Sequence, residues 1–130
     1  MNAMPRHKLV VLTNPVEGRE QEFDDWYMNT HMPDVMRVPG FVSGQRFTWA
    51  HAQAKPHAQT WRYLTILEID TDDLQATLDD LMARPGTAAM RMSDALAEQR
   101  LAYVFTAATP VFAPDGAGGH HVAGLGVNCQ

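Results

Sequence analysis

The chain has 130 residues, enough for one hydrophobic core and too few for two domains of ordinary size, and its 45% hydrophobic and 19% charged residues exclude a disordered chain. Ten Lys and Arg against fifteen Asp and Glu leave a formal net charge of -5, which lacks the basic footprint of a nucleic-acid binder. The single cysteine, Cys129, excludes an intrachain disulfide and a cysteine-based metal cluster and fits a reducing, cytoplasmic setting, while the longest early apolar run, Leu9-Val10-Val11-Leu12, is too short for a signal segment or a membrane span.

Residues 7–13, rich in Leu and Val and closed by Asn14-Pro15, predict a first strand. Residues 17–28 place Phe23, Trp26 and Tyr27 at i, i+3 and i+4 and predict an amphipathic helix. Thr30 is a candidate cap for a further helical stretch with Pro33 in its first turn, ended by Pro39-Gly40, so a bend or break is expected near Asn29. Residues 41–49, dominated by β-formers, predict strand two, the polar segment 51–59 a loop, and residues 61–69 strand three. After Asp70, with Thr71 or Asp72 as N-cap, the spacing of Leu74, Leu78, Leu81 and Met82 predicts a second amphipathic helix. Pro85-Gly86 interrupts it, residues 87–97 read as a Met- and Ala-rich helical restart, and residues 101–112 predict strand four. The order is βαββαβ, an α+β domain over residues 1–112, followed by a tail over residues 113–130 that holds five glycines and is expected to pack on the domain or on a partner.

Two helices cover one face of a four-stranded sheet, so in a monomer the strands should alternate cleanly between apolar and polar residues. Residues 9–12, 64–67 and 101–105 instead carry large apolar groups on both faces, which predicts a second subunit against the sheet; the alternative cover is the Gly-rich tail folded back over it.

Chemistry concentrates in Trp26-Tyr27-Met28-Asn29-Thr30-His31-Met32-Pro33-Asp34, where aromatics, an imidazole and a carboxylate meet at the expected helix break. In a helical register His31 and Asp34 share a face at i and i+3, so Asp34 would orient the ring and favour its charged form, with His31 as general acid or base. The plainer reading is that Asp34 favours the positive end of its helix while His31 packs as a satisfied, half-buried histidine. Trp26 and Tyr27 with Phe23 are more often core residues than a ligand platform, and their adjacency keeps them from all facing the same way. Arg46 and Arg62 lie in otherwise apolar strands, where each must reach solvent at an edge or meet a buried anion; edge exposure is the expectation. Tyr63 and Tyr103 carry hydroxyls that need partners if buried. His120-His121 with Cys129 makes poor metal geometry, and no phosphate loop, serine elbow or His-Glu-x-x-His pair is present.

Thr13-Asn14-Pro15, Gly18-Arg19, Trp26-Tyr27, His31-Met32-Pro33-Asp34, Pro39-Gly40 and Gln45-Arg46-Phe47 together resemble the EthD-like branch of the dimeric α/β-barrel superfamily. The resemblance spans roughly residues 8 to 110. It implies a ferredoxin-like monomer whose four-stranded antiparallel sheet packs on a partner's sheet, and a small hydrophobic pocket between sheet and helices for aromatic, polyketide-like or lactone compounds, without metal or organic cofactor. By resemblance His31 matches the family's helix histidine and Trp26 the aromatic five residues before it. The tail after Phe112 and the polar segment 50–59 depart from that pattern.

The leading functional expectation is a cofactor-independent homodimeric enzyme acting on a small hydrophobic or aromatic molecule by His31-mediated proton transfer, whether as isomerase, cyclase, dehydratase, decarboxylase or monooxygenase, with Asp34 orienting His31 and Trp26, Tyr27, Arg46, Tyr63 and Asn14 around the ligand. The alternatives are a non-catalytic dimer that holds a small hydrophobic ligand, and haem binding with His31 as axial ligand. No nucleic acid, membrane or metal partner is expected.

Overall fold

The computed structural model describes residues 6–115 and the backbone of residues 120–123. Strand β1 (Arg6–Thr13) leads to helix α1 (Glu20–Trp26), which continues through a π-helical turn (Tyr27–His31) into the short helix α2 (Met32–Met36). A hairpin of β2 (Phe41–Thr48) and β3 (Tyr63–Asp70), helix α3 (Leu74–Met82) and β4 (Leu101–Thr106) complete the βαββαβ order. The four strands lie in the order β2-β3-β1-β4, every pair antiparallel.

The period of two along β1 sorts its residues between the faces. His7, Leu9 and Thr13 are buried, and Val11 is partly covered on the same side. Leu9 faces Leu67 of β3 and Val104 of β4, and these residues meet Val35, Met32 and Met36 of α2 and Leu74, Leu78 and Leu81 of α3 in the main core. A second cluster joins Phe23, Trp26 and Tyr27 to Ala95 and Leu96. On the opposite face Val10 and Leu12 align with Ile66 and Leu64 and with Tyr103 and Leu101, and among the described residues no helix covers them. Tyr103 and Phe105 are 52% and 61% exposed there, beside the half-exposed Phe47 and Leu101. The expected apolar character of both sheet faces is therefore present in the protomer.

Several boundaries differ from the sequence reading, each for a local reason. Helix α1 begins at Glu20, not at residue 17, because Gly18 turns the chain at φ +86°. The expected break near Asn29 is a π-helical turn: the Met32 N–H donates to the Tyr27 carbonyl, so the helix widens and continues. Asp73, rather than Thr71 or Asp72, caps α3 by accepting from the Ala76 N–H at 3.1 Å, while the Thr71 hydroxyl accepts from the Asp73 N–H. The helical restart expected at residues 87–97 is absent. Its backbone groups have tertiary partners: the Arg91 N–H donates to Asp34, Ala95 accepts from the Val16 N–H, and the Ala97 N–H donates to the Asn14 carbonyl. Strand four ends at Thr106, and Val111–Pro114 forms a separate strand, β5, paired with β6 (His120–Ala123). The stretch read as a tail thus contributes the β5–β6 pair, and the boundary drawn after residue 112 falls inside β5. Cys129 lies outside the described residues, as do the side chains of His120 and His121.

Candidate functional site

Between the helix-side face of the sheet and the helices lies a cavity of about 480 Å³, within the usual range for small-molecule sites. Leu9, Val11, Thr13, Leu67 and Ala102 form its sheet wall, and Tyr27, His31, Met32 and Val35 come from the α1–α2 helix. Leu81 and Met82 of α3 close one side, and Pro85, Met90, Met92, Leu96 and Arg100 of the irregular segment 84–100 close another. The walls are apolar and rich in Met, whose flexible thioethers adapt to irregular shapes.

The π-helical turn sets the key side chains. Residues five apart on an α-helix diverge by about 140° at 100° per residue, but the wider turn brings Trp26 and His31 together. Their rings stack at 4.6 Å and 22°, and the Tyr27 ring meets the imidazole edge-on at 5.1 Å. Trp26 is itself fixed by its Nε1–H, which donates to the Arg91 carbonyl at 2.9 Å. Tyr27 is 3% exposed, and its hydroxyl accepts from Thr65 Oγ1 at 2.9 Å. Burial pushes the Tyr27 phenol up from its usual range.

His31 Nδ1 is buried and has no hydrogen-bond partner among the described residues. Burial lowers its pKa to about 4; the Asp34 charge opposes that shift and the Arg100 charge adds to it. The ring is therefore neutral near pH 7: the Asp34 charge favours the protonated form, as expected, but burial outweighs it. The hydroxyl of Thr13, 1% exposed on the opposite wall, also lacks a partner among the described residues. Two hydrogen-bonding groups thus border an apolar cavity with their capacity unused, where an unmade bond is expensive.

Asp34 does not orient His31 by a hydrogen bond. One of its oxygens accepts from the Arg91 N–H at 3.0 Å and Nε at 3.3 Å, the other from Arg91 Nη2 at 2.9 Å and Arg37 Nη1 at 2.8 Å. These bonds hold the carboxyl down at a pKa of about 2. Asp34 is a positioning residue that pins segment 84–100, and with it one cavity wall, to α2. The i, i+3 spacing that seemed to pair it with His31 is instead used by Arg37.

The other expected ligand contacts separate from the cavity. Arg46, expected at an edge, is only 13% exposed along its side chain. Its guanidinium lies 4.4 Å from the Tyr27 ring centroid and 4.9 Å from that of Tyr63, and it pairs with Asp24 at 2.9 Å. Tyr63 packs on Phe23 at 5.3 Å and does not reach the cavity. Asn14 ties the end of the β2–β3 connection, donating to the Thr60 carbonyl and accepting from the Arg62 N–H. Sequence reasoning overlooked Thr13, Arg100 and the methionines. Thr13 was detectable as the last inward position of β1 by period two, whereas Arg100 follows a segment misread as helix.

No family model matches this sequence, and neither does any curated protein. Among solved structures, the crystal structure of an ethyl tert-butyl ether (EthD) family protein from Bacillus halodurans is similar over 78% of this chain and 97% of its own, with 17% identity and a TM-score of 0.46.

Proposed function

We propose that this chain is a homodimer in which each protomer takes a small apolar molecule into its cavity, and that His31 removes a proton from that molecule without a cofactor. The observation that carries the reading is the neutral imidazole whose buried Nδ1 has no partner among the described residues, in an apolar, ligand-sized cavity. A neutral ring accepts a proton without first losing one, and stacking on Trp26 with edge contact to Tyr27 fixes the direction of its lone pair. Dimerisation is supported by the exposed apolar side chains of Tyr103 and Phe105 on the sheet face that no described helix covers, since a second copy buries such a face against itself.

A second reading, a dimer that holds its ligand without chemistry, draws on the same depressed basicity. A base with a pKa of about 4 is suited only to acidic protons, and no carboxylate hydrogen-bonds to its ring. Enolisable aromatic ketones and lactones incubated with the protein in D2O separate the two. Catalysis predicts C–H exchange, read by NMR, that is lost in His31→Gln. Ligands that bind but exchange at the buffer rate establish the holding role. Light scattering on the same sample is expected to give twice the 14.5 kDa chain mass, and a single-chain mass overturns the dimer.

A further inference from the structure

The arginines of this acidic chain are almost all paired. Arg6, Arg19, Arg37, Arg46, Arg62, Arg84 and Arg91 each lie within ion-pair distance of a carboxylate. Arg100 has no such partner among the described residues. It is also the one charged side chain among the cavity's lining residues, and its charge reaches both the His31 imidazole and the Tyr27 phenol. With fifteen acidic residues available, leaving this guanidinium unpaired beside an apolar cavity provides a local cation inside an otherwise anionic field.

We propose that the cavity selects a small apolar carboxylic acid, its carboxylate held by Arg100 and its remaining polar atoms meeting Thr13 Oγ1 and His31 Nδ1. The inference rests on the reading of the cavity as a ligand site. Three features of the ligand follow from three features of the wall. Guanidinium offers a planar fork of donors that matches a carboxylate. The Thr13 hydroxyl, 1% exposed, and the buried His31 Nδ1 require a ligand that brings hydrogen-bonding atoms inward, which a pure hydrocarbon does not. The apolar residues between them favour an aromatic or aliphatic body.

The test compares 1-naphthoate with its uncharged counterpart 1-naphthamide, titrated into the full-length protein by calorimetry, with the His31 ring proton signals as reporters of cavity occupancy. The wild type is expected to bind naphthoate about tenfold more tightly than naphthamide, with a preference that weakens as salt is raised. In Arg100→Gln, an exposed position whose change leaves the core intact, naphthoate affinity is expected to fall to that of naphthamide while naphthamide binding stays within about twofold. Equal affinities in the wild type, or a preference that survives in Arg100→Gln, overturn the assignment of Arg100 while leaving the cavity as a ligand site. If neither probe binds or moves the His31 signals, the ligand-site reading and this inference both fall.

Discussion

Replacing Asp34 separates a wall-holding role from a catalytic one. Its carboxylate is 1% exposed and accepts four hydrogen bonds, three from Arg91 and one from Arg37. The two guanidinium groups are 58% and 65% exposed, so water replaces much of what they lose, and each such contact contributes no more than about 0.5 kcal/mol. The Arg91 N–H is partly buried, and leaving it without an acceptor costs about 1–2 kcal/mol. Asp34→Ala is therefore expected to destabilise by about 3 kcal/mol, lowering Tm by about 10 °C for a chain of this length. Asp34→Asn keeps one acceptor oxygen for the Arg91 N–H and should lose about half as much, while Arg37→Ala should lose less than about 0.5 kcal/mol. Urea denaturation at constant m-value reads the series. Ligand affinity should fall in Asp34→Ala because the cavity wall loosens, whereas the His31 ring, which donates no hydrogen bond to Asp34 and loses only a charge that raises its pKa, should stay neutral. If Asp34→Asn instead leaves stability and ligand binding unchanged but abolishes proton exchange, Asp34 acts on the reaction directly and the positioning role is wrong.

Two further outcomes follow from the same geometry. The His31 pKa of about 4 lies below the ordinary 6.5, so between these values the unfolded chain binds the proton first and stability falls as pH drops through that window. The loss reaches up to about 3 kcal/mol at 1.36 kcal/mol per pH unit, and His31→Gln, compared with the wild type by urea denaturation at pH 7 and pH 4, should remove that part of the slope; equal slopes contradict a buried neutral ring. At Gly44 an added Cβ would sit 2.7 Å from the Met32 Cε and 2.8 Å from the Leu67 Cδ2, where α2 presses on the sheet. Gly44→Ala should cost about 1–2 kcal/mol, since Met32 can yield more readily than the buried Leu67, and an unchanged denaturation midpoint would show that the helix and strand are less closely packed.

The sequence by itself determined the local structure wherever hydrophobic period and turn chemistry agree. Strands over Arg6–Thr13, Phe41–Thr48 and Tyr63–Asp70 and the helix over Leu74–Met82 were legible because residues spaced by two or by 3.6 report which side is buried without knowledge of the partner. The apolar character of both sheet faces was legible for the same reason, whereas the stacking of Trp26 on His31 depends on the π-helical turn, which the period of 3.6 does not give. What the tertiary structure decided is where competing partners exist. Residues 87–97 have helical composition, yet the Asp34 carboxylate and the backbones of Asn14 and Val16 engage their polar groups, and long-range bonds of this kind leave no periodic trace. Asp34 pairs with an arginine 57 positions away instead of with its helical neighbour His31, because two guanidinium groups and a backbone N–H satisfy a carboxylate better than one imidazole that burial holds neutral. Arg46 lies between aromatic rings rather than at solvent, since β2 aligns it with Thr65 on the helix-side face. The cavity, and the conjunction of His31, Thr13 and Arg100 around it, exist only once α1, β1 and the segment before β4 are brought together from distant parts of the chain.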